Sequence, residues 1–484
     1  MTLLWLVSLV LLLLTVLLLA LAYSRDRMDL FSYQSAFQLG MMVFFYGPLL
    51  LVPMFPELRW PYVPSGEGFT TMAIAMIVFN IVYLMFFSLG SKMEWPERVV
   101  PNYAFLPVSM LGLSIMTAGM LTASVAIYLV AFTPGAMNLF EAVLLVLIPS
   151  LGAYATGLAT VLVLRQWYNA VWYVLLAAVF TVALLASVGF SADRRYALGV
   201  LIMIPWMLYY GWLRYKKKSF TLMVAGIGAA VAFSFVLIYS TFRHDSGVAG
   251  TSVAIRLEQA GSADLRKAFD PQNALGLFLQ DTAYNSIYCI ENYPNNKEYM
   301  PLHGLFYVIT NPIPRAVFPA KPNALGIMMA DTVGAVGNLG PGIIGHGWAE
   351  AHWIGILYYA AAFGVLIAIA DRLIRTRANN PYFLAAMGAN MGNAIALPRG
   401  EVALFVVQIG YGLIGTLVVS WIIARTAGSL AIGSEEFAFG SDTQIDEDED
   451  NPAEEYTPDA LPTAVQPSLK AADGPAGLGG SQHA

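Results

Sequence analysis

Residues 2–22 read TLLWLVSLVLLLLTVLLLALA, with Ser8 and Thr15 the only polar side chains inside the run. At about 1.5 Å of rise per residue, a helix of this length covers about 30 Å, the hydrocarbon thickness of a bilayer. Backbone groups in lipid must be satisfied within the element itself, so the run reads as a helix. No basic segment precedes it and no small-residue cleavage site follows it. It is therefore a first membrane span and not a removable signal.

Working outward, ten further apolar segments follow, near 35–55, 70–91, 106–131, 141–164, 169–190, 196–213, 220–241, 353–371, 382–398 and 401–424. The chain is 58% hydrophobic and 12% charged, about half the charge of a soluble domain. The expected fold is an all-α polytopic membrane protein of about 11 transmembrane helices. Two segments carry a weak signal. The seventh starts directly after Asp193-Arg194-Arg195, and the tenth, YFLAAMGANMGNAIAL, is short and rich in Gly and Asn.

The net charge of −6 divides unevenly. From Ser434 onward the chain holds 12 acids and one lysine, including the run DEDED at 446–450. Such a segment has little to bury, so 434–484 is predicted to be a disordered acidic tail. The membrane domain, 1–433, is mildly basic. Its short loops are asymmetric: Arg25, Arg27, Lys92, Arg98, Arg165, Arg214, Lys216, Lys217, Lys218, Arg372, Arg375, Arg377 and Arg425 fall on one side, against Arg59, Arg194, Arg195 and Arg399 on the other. The positive-inside rule then places the C-terminus in the cytoplasm and the N-terminus outside a cytoplasmic (inner) membrane. The long interval 242–352 becomes an outer loop. A single cysteine, Cys289, excludes an intrachain disulfide and a cysteine metal cluster.

That interval has two halves. In the first, Leu275, Leu279, Ala283 and Ile287 recur every four residues, which predicts an amphipathic helix suited to a membrane surface. In the second, LFYVIT at 305–310 is too short to span. It ends at Asn311-Pro312-Ile313-Pro314, where prolines oppose a continuing helix. A short interfacial helix followed by an ordered loop is expected there.

The candidate chemistry also lies in the second half. Arg315 stands among Pro314, Pro319 and Pro322, which restrict the backbone and hold the cation in one place. A fixed guanidinium with paired donors suits a pyrophosphate, and Lys321 adds a second cation. His346 and Glu350 are four apart in GHGWAEAHW and share a face if a helix runs through Trp348. They suit proton transfer or a sugar hydroxyl, or they are simply a polar pair at a helix start. The spacing is not the HExxH zinc pattern, and no metal or other cofactor is expected. Arg194 and Arg195, and Arg399 in LPRGE, stand on the same side. Each is a candidate phosphate ligand or an interfacial anchor, and Arg399 can also pair locally with Glu401. Trp348, Trp353, Tyr307 and Tyr358 fit an interfacial aromatic belt.

The loop NPIPRAVFPAKP, the arginine–ten residues–glycine spacing from Arg315 to Gly326, and GHGWAEAHWIG entering a helix resemble the Wzy-type oligosaccharide repeat-unit polymerases, related to O-antigen ligases. Many members of that family have a carboxylate where this chain has His346. The resemblance, over roughly 150–425, implies a GT-C-like membrane fold and a glycosyltransferase. It would polymerise undecaprenyl-pyrophosphate-linked repeat units at the outer face of the inner membrane without metal. Arg315, His346 and Glu350 would be catalytic, and Arg194, Arg195, Lys321 and Arg399 would bind substrate. The implied partners are the lipid-linked oligosaccharide, membrane lipid and a chain-length regulator, with no nucleic acid. A ligase-like transferase and a non-catalytic polysaccharide or lipid transporter are the alternatives. A transporter would favour charged or broken helices at mid-membrane.

Overall fold

The long apolar runs become long helices, and the polar interval between them becomes short ones. The computed structural model describes residues 2–51, 65–100, 105–131, 136–190, 194–243, 282–334 and 338–431, with a few single positions between 258 and 270. The predicted tail 434–484, Arg59, Leu275 and Leu279 lie outside the described residues. The helices are α1 Thr2–Ser24, α2 Tyr33–Met41, α3 Gly47–Leu51, α4 Gly66–Gly90, α5 Trp95–Val99, α6 Met110–Ala131, α7 Ala136–Arg165, α8 Ala170–Phe190, α9 Arg194–Gly211 and α10 Lys218–Arg243. After the interval come α11 Thr282–Asn292, α12 His303–Thr310, α13 Leu325–Val333, α14 Gly342–Thr376, α15 Pro381–Gly388, α16 Met391–Ala396 and α17 Val402–Ala427. Among the described residues there is no strand. Nine helices among the described residues are long and apolar enough to cross a membrane, and the described part is all helical, as in a multi-pass membrane protein.

The seventh and tenth predicted segments differ from the other nine. The seventh is α9, whose two leading arginines dilute its hydropathy. It still runs the depth of the bundle, since Arg195 lies against Phe405 of α17 while Arg214, just past its other end, pairs with Asp29 at 3.0 Å. The tenth is not one helix. It is α15 and α16, interrupted at Ala389–Asn390, and nearly every residue of both is buried.

The bundle is built around α7. The window Val143–Arg165 is 94% buried, against 11% for Lys218–Tyr239. Small residues in LGAYATGLAT allow this, because neighbouring backbones can approach closely. Outward-facing leucines of α1, such as Leu13 and Leu17, are exposed, as a lipid-facing helix requires.

The basic loops do gather at one end. Lys218 Nζ meets Asp26 Oδ2 at 2.7 Å, Arg375 Nη2 donates to Arg27 O at 3.0 Å, and Arg372 pairs with Glu97. Asp371 is buried there, accepting the Tyr33 and Gln34 N–H groups at 2.6 and 3.1 Å and so capping the start of α2. Within the second span, α2 passes through a π turn, Met42–Tyr46, before α3. That turn lies at the opposite end, where the candidate residues collect.

Two expectations for the interval are corrected. Residues 282–290 of α11 are all buried, so this helix does not lie on a surface. Ser286 packs against Gly345, and its hydroxyl donates to Pro341 O at 2.6 Å. Trp348 and Tyr307 are likewise buried and not part of an aromatic belt; Trp348 Nε1 donates to Tyr293 O at 2.9 Å. The 303–310 segment is the short helix expected, with Leu305, Phe306 and Ile309 exposed on its outer face.

Candidate active site

The helix α14 is two helices. Ala351 (φ −157°, ψ 37°) and His352 (φ 55°, ψ −135°) leave helical geometry, so 342–350 and 353–376 meet at a sharp bend. A left-handed φ at a non-glycine is uncommon, and here it lets the chain fold back on itself. Gly347 and Gly355 then lie backbone to backbone: a Cβ on Gly347 would stand 2.9 Å from Gly355 O. Residues 342–350 form a fully buried half-helix. They carry His346 and Glu350 on one face, as their spacing predicts.

His346 is wholly buried. Its Nε2 lies 3.0 Å from Glu350 Oε1, and its Nδ1 lies 3.2 Å from Glu401 Oε1. Neither nitrogen makes an aligned hydrogen bond, so the carboxylates are close but off the ring N–H directions. Glu350 Oε1 accepts from Gly304 N at 2.5 Å and from Tyr359 Oη at 2.9 Å. Glu401 Oε2 accepts from Gly326 N at 2.9 Å, in the first turn of α13. There the carboxylate satisfies a free N–H and complements the helix dipole. Gly326 has no room for a side chain, since a Cβ would come within 2.5 Å of Leu339 O. That steric limit gives the Arg315–Gly326 spacing a physical meaning at its glycine end.

His303, at the start of α12, completes the cluster. Its ring centroid is 6.3 Å from that of His346, and its Nδ1 is buried without a hydrogen-bond partner. Burial, and then the neighbouring His346, holds the His303 imidazole below its usual pKa against the pull of Glu401 and Glu350. It is therefore neutral near pH 7. One ligand atom from each of His303, His346 and Glu350 lies within 4.8 Å of the others, close enough to hold a metal ion.

Arg315 and Lys321 hold the proline-rich loop. Arg315 donates to Lys321 O at 3.0 Å, Pro322 O at 3.3 Å and Asn323 Oδ1 at 2.7 Å. Lys321 Nζ donates to Asn311 O at 2.6 Å and Ile313 O at 3.3 Å. Prolines cannot donate, so loop carbonyls lack backbone partners, and the two cations supply them. Among the described residues no carboxylate is among their partners. Burial, and then the charge of Arg315, holds the Lys321 ammonium below its usual pKa. The loop is tied to the rest by Tyr411 Oη, which donates to Asn311 Oδ1 at 3.1 Å.

Arg195 stacks on Phe405 at 4.6 Å, and Arg399 lies over Phe44 of the π turn at 5.7 Å. Arg194 is half-buried beside them in sequence. Of the predicted residues, Arg195 and Arg399 lie near the start of α17, where Glu401 meets His346. His346 and Glu350 touch directly. Arg315 and Lys321 stand in the loop that follows α12. Arg195 and Arg399 flank Glu401 without direct contact to the histidine. Sequence reading did not assign a role to His303 or Tyr359, and it treated Glu401 only as a local partner for Arg399. His303 opens a short amphipathic segment and His346 a distant one, so no spacing pattern joins them. No family model, curated protein or solved structure matches the chain.

Proposed function

We propose that the protein is a membrane glycosyltransferase that joins oligosaccharide repeat units carried on undecaprenyl pyrophosphate, at the outer face of the cytoplasmic membrane. One observation carries this reading: Arg315 and Lys321 are fixed beside each other by loop carbonyls, with no carboxylate among the described residues to neutralise them. A rigid, uncompensated pair of cations favours a polyanion, and it costs no reorganisation as charge builds on a leaving pyrophosphate. Beside it, the His346–Glu350 pair accepts the proton of an attacking sugar hydroxyl. Arg194, Arg195 and Arg399 extend the positive rim toward a second lipid-linked substrate. The bond to the pyrophosphate breaks as the new glycosidic bond forms, and the longer glycan stays on lipid. The GT-C-like arrangement belongs to the same proposal.

The test supplies purified protein with lipid-linked repeat units alone and sizes the lipid-linked products on a gel. A ladder is expected. Transfer of a single glycan to another acceptor would make the protein a ligase. A second reading, a non-catalytic transporter of lipid or polysaccharide, draws on the buried interruption between α15 and α16. There Asn390 and Asn393 keep amide oxygens without partners, as in a broken helix that lines a passage. Movement of intact lipid-linked glycan across proteoliposomes, with no bond formed, would favour that reading over polymerisation.

A further inference from the structure

The charge in the buried cluster does not balance. Glu350 and Glu401 are 3% and 1% exposed. Among the described residues their partners are two backbone N–H groups, the Tyr359 hydroxyl and His346, with no arginine or lysine. Two buried carboxylates without compensating charge are strongly unfavourable, and one imidazolium supplies a single positive charge. His346 lies between them with both nitrogens buried and neither in an aligned hydrogen bond. His303 adds a third buried nitrogen without a partner.

We infer that His303, His346 and Glu350 hold a divalent transition-metal ion of the zinc class, with Glu401 orienting His346 from behind. The donor set of two imidazoles and one carboxylate suits such an ion and leaves coordination positions open. A metal-bound histidine characteristically gives its other ring N–H to a carboxylate, which fixes the tautomer. Glu401 Oε1 lies 3.2 Å from His346 Nδ1, off its N–H direction but near enough to take that role after a small rotation of the ring, and Gly326 N–H holds its other oxygen. Glu350 is itself oriented by Gly304 N–H and Tyr359 Oη. A divalent ion would neutralise both carboxylates. His303, the half-buried member, marks the edge open to a small ligand, and a phosphate or sugar oxygen is the chemistry that would fill an open position. The inference departs from the metal-free chemistry expected from sequence, and with an ion bound His346 and Glu350 serve as ligands and not as the proton acceptor proposed above. It does not depend on glycan transfer, because it is read by metal content without substrate.

The experiment measures zinc in the detergent-purified full-length protein by mass spectrometry, then replaces zinc with Co²⁺ and records visible absorption. Roughly one ion per chain, released by a strong chelator, is expected. His303→Ala removes a half-buried ligand with little packing loss, so it should fold and lose the ion. Glu401→Gln should keep the ion but weaken Co²⁺ binding about 10- to 100-fold. Arg315→Ala, whose side chain is outside the cluster, should retain full metal content. Folded wild-type protein that holds no zinc and gives no Co²⁺ spectrum on titration would overturn the site and leave a buried Glu–His–Glu ion pair. Undiminished metal in His303→Ala would overturn the ligand assignment. A metal-loaded protein that forms no glycan ladder would sink the proposed function and leave this inference standing.

Discussion

His346 Nδ1 lies 3.2 Å from Glu401 Oε1, joining the half-helix that starts α14 to the residue that precedes α17. Two parts of the site meet at this contact, and Glu401 reaches from it to the first turn of α13. Removing one member of a buried ion pair leaves the other uncompensated, at a cost of about 3–5 kcal/mol. Glu401→Ala should therefore lower the melting temperature of the detergent-solubilised protein markedly. Arg399→Ala, two residues away and exposed, should change stability by no more than about 0.5 kcal/mol. Equal melting temperatures for the two variants would contradict the central place given to Glu401.

Arg315 spans three acceptors on residues 321–323 with one planar guanidinium. Arg315→Lys keeps the charge but cannot reach all three. Losing the fixed cation should cost about 2–4 kcal/mol of transition-state stabilisation, roughly 30- to 1000-fold in rate. Both Arg315→Ala and Arg315→Lys should then give little polymer at normal abundance. Full-length glycan from either variant in cells, with protein level measured alongside, would return Arg315 to a loop-holding role only.

Gly304 sits where any side chain would enter the cluster. A Cβ there would come within 2.8 Å of both Glu350 Oε1 and His346 Nε2. Gly304→Ala should displace the Glu350–His346 contact, with an overpacking cost of about 1–3 kcal/mol. Activity should fall by more than the modest change in melting temperature would suggest. A fully active Gly304→Ala protein would show that this contact is not needed.

Asp371 accepts two backbone N–H groups at the start of α2, at the end of the bundle opposite the cluster. Asp371→Ala would leave both donors buried without a partner, at about 1–3 kcal/mol each. The variant should unfold at lower temperature while its remaining folded fraction keeps normal specific activity. Unchanged thermal stability would show that water replaces the carboxylate.

Cys289 is fully buried, and burial pushes its thiol well above the usual pKa. A maleimide should label it only after denaturation. In a Cys289→Ser background, Ser262→Cys should react with an impermeant reagent in intact spheroplasts if the long interval faces outward. Labelling of Ser262→Cys only after lysis would reverse the proposed orientation.

Much was determined by the sequence alone. Runs such as 2–22 must be membrane helices because the bilayer sets their length and lipid leaves a backbone no other partner. The grouping of basic loops at one end was legible because charge at span ends follows a simple asymmetry. The His346–Glu350 pairing followed from helical spacing, and the ordered loop after α12 from its prolines. The remaining features depend on long-range packing. Leu275, Leu279, Ala283 and Ile287 carry a surface-like period, yet 282–290 are buried because Gly342 and Gly345 leave room for α11 against α14. The left-handed turn at His352 has no local signal, since it is held by the Gly347–Gly355 contact that it creates. His303 and Glu401 join His346 only when segments far apart in sequence pack together. A pairing energy of that kind depends on burial and distance, and neither is written in spacing along the chain.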